Sequence, residues 1–482
     1  MKDIKEKTIR GGAARLIGQA LKSLLRLGTI IVLARLLDPS DFGIVAMVTV
    51  VTGVFEVFAT GGLSAAAVQK PEISDAEIST LFWFNIAIGV LLGLLCIAAA
   101  PVLSSFYSEP ETALVMIAIA PTFVINATAV QHMALLQRHL RYTTLAAIEV
   151  GSEIVTGIVA IFMALAGFGY WAVVASVITG PLVLTIGAWV TSGWLPGLPR
   201  NVRDVYPMLR FGGTVTLNGL VVYVAYNLDK VLLGRYFGPA VLGIYGRAYE
   251  LINLPTRILN TSIGAVAFSS LARLQREPAR LKTYFLKGYS LVVSITLPAT
   301  IACAVFAHDI ILVTLGPNWT AAAPIFRLLA PTILVFSIIN PLGWLLQSIG
   351  MQERSLKIAL VLSPLVICSY LVGLPYGPSG VALAFSTMMV SWLVPHICWA
   401  LHGTNISVWE FFSAAGRVLA AGTVAAIAAA IMQQVAVPLP SPLLRLAIGG
   451  TTMLSIYVLV LLFIMKQREF YFGLLREFRR VS

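Results

Sequence analysis

Residues 33–44 read LARLLDPSDFGI, and residues 233–244 read LGRYFGPAVLGI. Each stretch joins two long apolar segments through a short turn that contains proline and glycine. Five positions are identical after a shift of 200 residues: Leu33 and Leu233, Arg35 and Arg235, Pro39 and Pro239, Gly43 and Gly243, and Ile44 and Ile244. A second set of identical positions is found at a shift of 210 residues: Gln137, Ala172 and Ser176 recur as Gln347, Ala382 and Ser386. Together they predict an internal duplication with a few residues inserted in the second copy.

The composition is typical of a membrane protein. Of the 482 residues, 58% are hydrophobic and 11% are charged, and the mean hydropathy is +0.89, whereas soluble proteins carry about 25% charged residues. Many apolar segments have the roughly 20 residues that a helix needs to cross the hydrocarbon core. We therefore expect an all-α polytopic membrane protein, and we expect no cleavable signal peptide in the basic N-terminal stretch.

Apolar segments separated by polar turns predict about fourteen transmembrane helices. The first six lie near 16–37, 42–66, 80–103, 113–136, 143–166 and 170–192, and the next six near 212–237, 241–268, 285–315, 322–348, 355–375 and 379–401. The last two, near 414–435 and 443–465, have no counterpart in the first copy. Because six is an even number, both copies share one orientation, which predicts two parallel six-helix lobes. The predicted lobes are 1–200 and 201–405, and 406–482 add two C-terminal helices and a basic tail.

The connections between the predicted helices alternate in charge. Every second connection contains Lys or Arg, such as Arg138 and Arg141 or Arg354 and Lys357, whereas the others contain neither residue. By the positive-inside rule, the basic connections and both termini are expected on the cytoplasmic side. This pattern indicates that the net charge of +12 reflects the orientation of the protein in the membrane rather than nucleic-acid binding.

Basic side chains form stripes on two predicted helices. Lys22 and Arg26 are one turn apart on the first helix, and Arg247 and Arg257 share a face of helix 241–268. A charge at the bilayer centre costs at least about 2.5–3.5 kcal/mol, so such residues usually face a cavity or a partner. Guanidinium groups fit the oxygens of a phosphate, which makes the stripes candidates for binding an anion. Two alternatives are snorkelling of Lys22 and Arg26 to the membrane surface and a salt-bridge ladder on helix 241–268.

Acidic residues within the predicted helices are candidates for ion coupling, because intramembrane carboxylates often belong to proton or Na⁺ relays. The candidates are Glu56, Glu149, Glu153, Asp229 and Glu250. Two simpler assignments compete with this role. Glu56 pairs with Lys22 or Arg26 in one of them, and Glu149 pairs with Arg138 or Arg141 in the other.

Several motifs are absent from the sequence. It contains no G-x-x-x-x-G-K-[ST] phosphate loop, no H-E-x-x-H and no His/Cys cluster, so we expect neither an ATPase site, nor a cofactor, nor a metal site. The four cysteines lie singly within apolar segments and are read as small buried hydrophobes. The longest polar stretches are about 20 residues, too short for a catalytic domain. We expect a protein that is not an enzyme.

Three stretches carry a family resemblance: LARLLDPSDFGIVAMVTVVTGVFEVFATGGLSAAAVQK (33–70), LLQRHLRY (135–142) and GFGYWAVVAS (167–176). They resemble bacterial polysaccharide exporters of the Wzx type, in the multidrug/oligosaccharidyl-lipid/polysaccharide exporter superfamily. The resemblance implies a flippase of the bacterial inner membrane, without ATPase activity. Such a protein moves an undecaprenyl-diphosphate-linked oligosaccharide, a repeat unit of exopolysaccharide, capsule or O-antigen, to the periplasmic leaflet.

The resemblance also assigns roles to the charged stripes. Lys22, Arg26, Arg247 and Arg257 would attract the diphosphate in a cavity between two rocking lobes. An ion gradient or the membrane potential would drive transport, and the partners would be membrane lipids, the lipid-linked glycan and other polysaccharide-assembly proteins. Three alternatives stay open: a drug/cation antiporter, a polytopic polymerase or glycosyltransferase, and a scaffold without transport. An acidic cavity would favour the antiporter, and a large catalytic loop would favour the polymerase or glycosyltransferase. The sequence shows neither feature.

Overall fold

The protein was analysed as a computed structural model that describes residues 2–60, 73–199, 206–436, 441–469 and 471–473. The described residues contain helices and no β-strand, which confirms the all-α prediction. The predicted boundary between the lobes at 200/201, residues 61–66 of the second predicted helix, part of the stretch 33–70 and the end of the basic tail lie outside these ranges.

Sixteen α-helices occur in the described residues, and most of them coincide with the predicted transmembrane segments. The helices of the first half are α1 (Lys2–Leu36), α2 (Pro39–Thr60), α3 (Asp75–Tyr107), α4 (Glu111–Ile119), α5 (Pro121–Arg138), α6 (Tyr142–Leu165) and α7 (Tyr170–Ser192). Those that follow are α8 (Tyr206–Arg273), α9 (Pro278–Val305), α10 (Ala307–Thr314), α11 (Ala322–Leu329), α12 (Pro331–Ser348), α13 (Gln352–Gly373), α14 (Gly377–Leu401), α15 (Val408–Ala436) and α16 (Pro442–Leu459).

The chain is a multi-pass membrane protein. Among the described residues, 11 helical segments are long and apolar enough to cross a membrane, and one of them, Gln352–Leu401, contains two predicted helices. None of these segments lies in α8, which corresponds to the predicted helices 212–237 and 241–268. The count of fourteen therefore stays a prediction.

Proline and glycine set the helix boundaries. Pro121, Pro278, Pro331 and Pro442 stand at helix N-termini, where the missing N–H group costs no hydrogen bond. The helix α8 is broken at Gly238, whose φ of 80° and ψ of −179° are not helical. A glycine adopts this positive φ without the strain that a Cβ would cause. The break lies at the turn that the sequence predicts between its seventh and eighth helices.

The two copies of the duplicated turn contact each other through their glycines. A Cβ atom on Gly43 would lie 1.8 Å from the carbonyl oxygen of Pro239, and one on Gly243 would lie 1.9 Å from the carbonyl oxygen of Pro39. The contact is reciprocal, as expected for two copies related by an approximate two-fold axis. The prolines and glycines that repeat in the sequence are thus positions at which the two backbones meet.

The second set of repeated positions, at a shift of 210 residues, also has a counterpart in the backbone. A helix ends and restarts at Ala120 before α5 and again at Ala330 before α12, and both alanines have nearly the same conformation (φ −50°, ψ −39° and φ −53°, ψ −40°). Thr122 and Thr332 each donate a hydrogen bond to a carbonyl oxygen three residues earlier, at 2.6 Å in both copies. The shift between these features is 210 residues, which supports the predicted duplication.

Contacts group the chain into two compact units, Met1–Gly246 and Arg247–Ser482, called here the N-terminal and C-terminal units. In the C-terminal unit, Arg445 of α16 donates to Oδ1 of Asp309 in α10 from Nε at 2.9 Å and from an Nη atom at 2.7 Å. Asp309 is buried, at 7% side-chain exposure. This ion pair connects one of the two additional C-terminal helices to the preceding six-helix set. The division at 200 and 405 stays a prediction.

The close glycine contacts lead to a test of the duplicated turn. We expect Gly43→Ala and Gly243→Ala each to lower the free energy of unfolding by about 1–3 kcal/mol or more, because a methyl group would force the backbones apart. The control is Gly151→Ala in α6, since no heavy atom lies within 4 Å of a Cβ at that position. Thermal unfolding of the full-length protein in detergent measures both effects. Unchanged melting temperatures for Gly43→Ala and Gly243→Ala would contradict the contact.

Candidate functional site

The intramembrane charges of the N-terminal unit begin with a pair between α1 and α6. The Nζ atom of Lys22 lies 3.6 Å from Oε2 of Glu149, and the side chains are 30% and 26% exposed. This separation exceeds the usual 2.7–3.2 Å of an N–H···O hydrogen bond, so the pair is electrostatic and loosely held. The sequence offered Arg138 or Arg141 as the partner of Glu149, and the structure places Lys22 beside it. The role of Glu149 in ion coupling stays a prediction.

Arg26 is one helical turn beyond Lys22, and its side chain is exposed. Glu56 on α2 is also exposed, and Glu153 on α6 is half-buried one turn from Glu149. Ser152, beside Glu153, donates to the carbonyl oxygen of Gly180 at 2.8 Å, which connects α6 to α7. The two glutamates of α6 therefore lie on a helix that packs between α1 and α7.

Asp229 is the most deeply buried of the predicted acidic residues, with no exposed surface. Its Oδ2 atom accepts a hydrogen bond from the Tyr245 hydroxyl at 2.8 Å, and its Oδ1 atom accepts one from the Lys230 backbone N–H at 2.8 Å. Asp229 and Tyr245 lie on opposite sides of the break at Gly238. A carboxylate therefore bridges the two segments of α8 at the duplicated turn.

The segment of α8 that carries Asp229 has further polar side chains. The Nζ atom of Lys230 donates to Oδ1 of Asn227 at 2.7 Å, and Asn227 donates to the carbonyl oxygen of Tyr223 at 2.9 Å. The Tyr223 hydroxyl donates to the carbonyl oxygen of Val50 in α2 at 3.0 Å. The Tyr223 bond therefore connects the first segment of α8 to α2, whereas the other two bonds lie within α8.

The predicted cationic stripe of helix 241–268 lies in the C-terminal unit. Arg247 and Glu250 form an ion pair, with side chains 18% and 19% exposed. Arg257, farther along the same helix, is half-buried. A salt bridge within this stripe was one of the sequence-based alternatives, and the structure shows one between Arg247 and Glu250. The pairing accounts for one arginine of the stripe and does not test whether either arginine binds substrate.

The sequence did not indicate Tyr245 as the partner of Asp229. Tyr245 follows the turn as part of an apolar helix start, where a buried aromatic residue is the ordinary expectation. The one available signal is its distance from the turn: Asp229 precedes Gly238 by about as many residues as Tyr245 follows it. A hairpin-like turn at Gly238 would place the two side chains at a similar depth.

Comparisons with known proteins identify the family of this chain. Residues 32–324 match the protein family described as "Polysaccharide biosynthesis protein". The chain belongs to this family. It is also 27% identical to the lipopolysaccharide biosynthesis protein WzxC of Escherichia coli (strain K12), over 80% of this chain and 79% of that protein.

The fold is that of lipid and drug transporters. The structure of the lipid II flippase MurJ in an inward closed conformation matches with a TM-score of 0.76 at 14% identity, and the match covers 95% of this chain and 99% of that one. A multidrug resistance MATE family transporter of the MOP superfamily, in an inward-facing conformation, matches with a TM-score of 0.64 at 15% identity, over 81% and 97% of the two chains. The MurJ structure therefore matches a larger share of this chain than the MATE structure does.

The Asp229 contact gives a prediction for the site. We expect Tyr245→Phe to lower the free energy of unfolding by about 1–3 kcal/mol, because a buried carboxylate oxygen loses its donor. The control, Tyr236→Phe, removes a hydroxyl from a side chain that is 65% exposed, and we expect a change within about 0.5 kcal/mol. Thermal unfolding in detergent provides the comparison. Equal melting temperatures for the two variants would contradict the assigned hydrogen bond.

Proposed function

We propose that this protein is a flippase for an undecaprenyl-diphosphate-linked oligosaccharide. It moves the repeat unit of an exopolysaccharide, capsule or O-antigen from the cytoplasmic to the periplasmic leaflet of the bacterial inner membrane. The observation that carries the proposal is the combination of a polysaccharide biosynthesis family match with a lipid-flippase fold over 95% of the chain. A fold alone leaves many functions open, and the family restricts this one to the assembly of polysaccharides.

The orientation follows from the charge of the connections. Arg138 and Arg141 lie between α5 and α6, and Arg354 and Lys357 lie at the start of α13, whereas the connections at the opposite helix ends lack Lys and Arg in the sequence. The positive-inside rule places the basic connections and both termini in the cytoplasm. In this orientation, the substrate enters from the side of the basic connections.

Lys22 and Arg26 are assigned to the diphosphate at the N-terminal unit. The 3.6 Å separation of Lys22 and Glu149 supports this role, because a loose ion pair can exchange its carboxylate for a phosphate at little cost. Arg26 is exposed one turn away and can contribute a guanidinium group to the same anion. Glu149 then serves as the counter-ion of Lys22 when the substrate is absent.

Arg247 and Arg257 of the C-terminal unit are also assigned to the diphosphate. Glu250 holds Arg247 in an ion pair in which both side chains are partly buried. Removing one partner of such a pair leaves a charge without compensation. A diphosphate supplies that compensation to Arg247 when Glu250 is protonated or binds a cation, which would couple substrate binding to an ion.

The driving force is an ion gradient or the membrane potential, with Glu56, Glu149, Glu153, Asp229 and Glu250 as the groups that exchange the ion. Moving one charge through 100 mV is worth about 2.3 kcal/mol, so few charges suffice. Transport proceeds by alternating access between the two six-helix lobes. In this scheme, the contacts between carboxylates and cationic groups differ between the two states of the transporter. These contacts contribute to the free-energy difference between the states, and ion binding changes that difference.

The two additional C-terminal helices are assigned to the lipid tail. The MurJ match covers 95% of this chain and the MATE match covers 81%, a difference similar in size to residues 406–482. Arg445, the one charged residue of α16, is neutralised by the buried Asp309, so this helix presents no uncompensated charge to a polyprenyl chain. Partners of the protein are therefore membrane lipids, the lipid-linked glycan and other polysaccharide-assembly proteins.

The proposal is tested in a strain that lacks the gene. We expect the complete lipid-linked repeat unit to accumulate in the cytoplasmic leaflet and the surface polymer to disappear. Arg247→Ala and Arg257→Ala are each expected to reduce complementation at least about tenfold, since loss of a charge-assisted contact costs about 1.4 kcal/mol or more. Arg280→Ala is the control, because the side chain of Arg280 is 74% exposed and forms an ion pair with its neighbour Glu277.

The measurement also separates the alternatives. Normal movement of the lipid-linked unit together with loss of drug efflux would favour an antiporter, which the MATE likeness makes the second candidate. Normal movement together with altered polymer length would favour a scaffold in polysaccharide assembly. Full complementation by both arginine variants, with the flippase itself intact, would remove Arg247 and Arg257 from the substrate site.

A further inference from the structure

A basic cavity of about 170 Å³ lies at one end of the N-terminal unit, and none of the intramembrane charges described above lines it. Its polar lining comes from Asp75, Arg138, His139, Arg141 and Ser192. These residues stand at the beginning of α3, the end of α5, the start of α6 and the end of α7. Four helix ends meet there, so the cavity opens at the membrane surface that the positive-inside rule assigns to the cytoplasm. Its volume is roughly ten times what one water molecule requires.

The basic residues belong to the stretch LLQRHLRY (135–142), which the proposed transport does not use. The stretch ends α5 in a tight turn, in which Leu140 has a positive φ of 55°. The backbone N–H groups of Leu140 and Arg141 donate to the carbonyl oxygens of Gln137 and Leu136. A leucine in this left-handed region is strained, and such strain is concentrated at functional sites.

The second copy of the duplication provides an internal comparison for this turn. Gly350 stands 210 residues after Leu140 and has a φ of 79°. The N–H groups of Gly350 and Met351 donate to Gln347 and Leu346, in the same pattern as in the first copy. The three basic residues of the first copy, Arg138, His139 and Arg141, correspond to Ser348, Ile349 and Met351. The turn therefore forms without basic side chains at these three positions. The second copy has its basic residues farther along, at Arg354 and Lys357, so membrane orientation does not require them within the turn itself.

Hydrogen bonds fix the cavity wall in place. The Nη1 atom of Arg141 donates to the carbonyl oxygen of Thr191 at 2.7 Å. A guanidinium group has five N–H donors, so this bond orients Arg141 and leaves donors for a ligand. Ser192 is hydrogen-bonded to Nδ1 of the buried His132 at 2.8 Å, and the His132 ring also contacts Trp194, which lines the cavity. A site held in this way binds an anion without a large ordering cost.

We infer that this cavity is a binding site for a phosphate ester at the cytoplasmic membrane surface. Arg138 and Arg141 supply the positive charge, and guanidinium forks match the oxygens of a phosphate. The His139 ring adds a further N–H donor to the lining. Asp75 accepts a hydrogen bond from a hydroxyl or amino group of the alcohol that is esterified to the phosphate. The ester is carried by a membrane lipid or is a soluble metabolite, and both share this chemistry.

The inference does not depend on the proposed transport, because binding is measured without translocation. Native mass spectrometry of the full-length protein in detergent is carried out with phosphatidylglycerol, with glycerol 3-phosphate and with dioleoylglycerol, which lacks the phosphate. We expect phosphate-bearing probes to bind and dioleoylglycerol not to bind. Binding of phosphatidylglycerol alone identifies a lipid headgroup as the ligand, and binding of glycerol 3-phosphate as well identifies a phosphate site open to soluble esters.

Arginine variants assign the binding to this cavity. We expect Arg138→Gln and Arg141→Gln each to weaken binding about tenfold, since each removes a charge-assisted contact. Arg280→Gln is the matched control on the other unit and should bind within about twofold of the wild type, as expected for an exposed side chain. Arg141→Lys keeps the charge, so a folded variant with intermediate affinity separates charge from turn structure. Equal binding by wild type, Arg138→Gln and Arg141→Gln, or equal binding of dioleoylglycerol, would overturn the inference.

Discussion

The backbone contact between two glycines and two proline carbonyl oxygens is the constraint on which the N-terminal unit depends. Gly43 and Gly243 approach Pro239 and Pro39 so closely that any side chain would overlap an oxygen. Helices in membranes associate largely by close packing, since hydrocarbon gives them no hydrophobic driving force toward each other. A reciprocal contact without side chains is therefore an effective way to join two copies of a duplicated turn, and it explains why those positions remain recognisable in both copies.

The pairing of charged side chains follows from the same apolar environment of the membrane. A charge in hydrocarbon needs a partner, and the described helices supply partners across helix pairs, as Glu149 does for Lys22 and Asp309 does for Arg445. The two pairs differ in a way that bears on function. Arg445 donates two hydrogen bonds below 3.0 Å to a buried carboxylate, whereas Lys22 and Glu149 are 3.6 Å apart and partly exposed. The tight pair suits a permanent connection between helices, whereas the loose pair is the one to which we assign exchange with the substrate.

The sequence predicted much of the fold because hydropathy, proline and glycine act locally. The all-α class and the break at Gly238 are both confirmed by the structure. Partners of charged residues were harder to predict, because 127 residues separate Lys22 from Glu149 and several basic residues were within plausible reach. Tyr245 was missed because its role comes from the reversal of the chain at Gly238, which hydropathy does not report. The stretch 135–142 was recognised as a motif, but the cavity appeared only when four helix ends were placed together.

The flippase assignment is the central claim, and reconstitution measures it most directly. Purified protein is placed in liposomes without nucleotide, with a fluorescent polyprenyl-diphosphate-linked oligosaccharide in both leaflets, and its exchange between leaflets is followed by quenching from outside. The account predicts that the protein increases exchange well above that of protein-free liposomes, and that an imposed ion gradient or membrane potential biases its direction. Exchange no faster than in protein-free liposomes, under every gradient, would contradict the account.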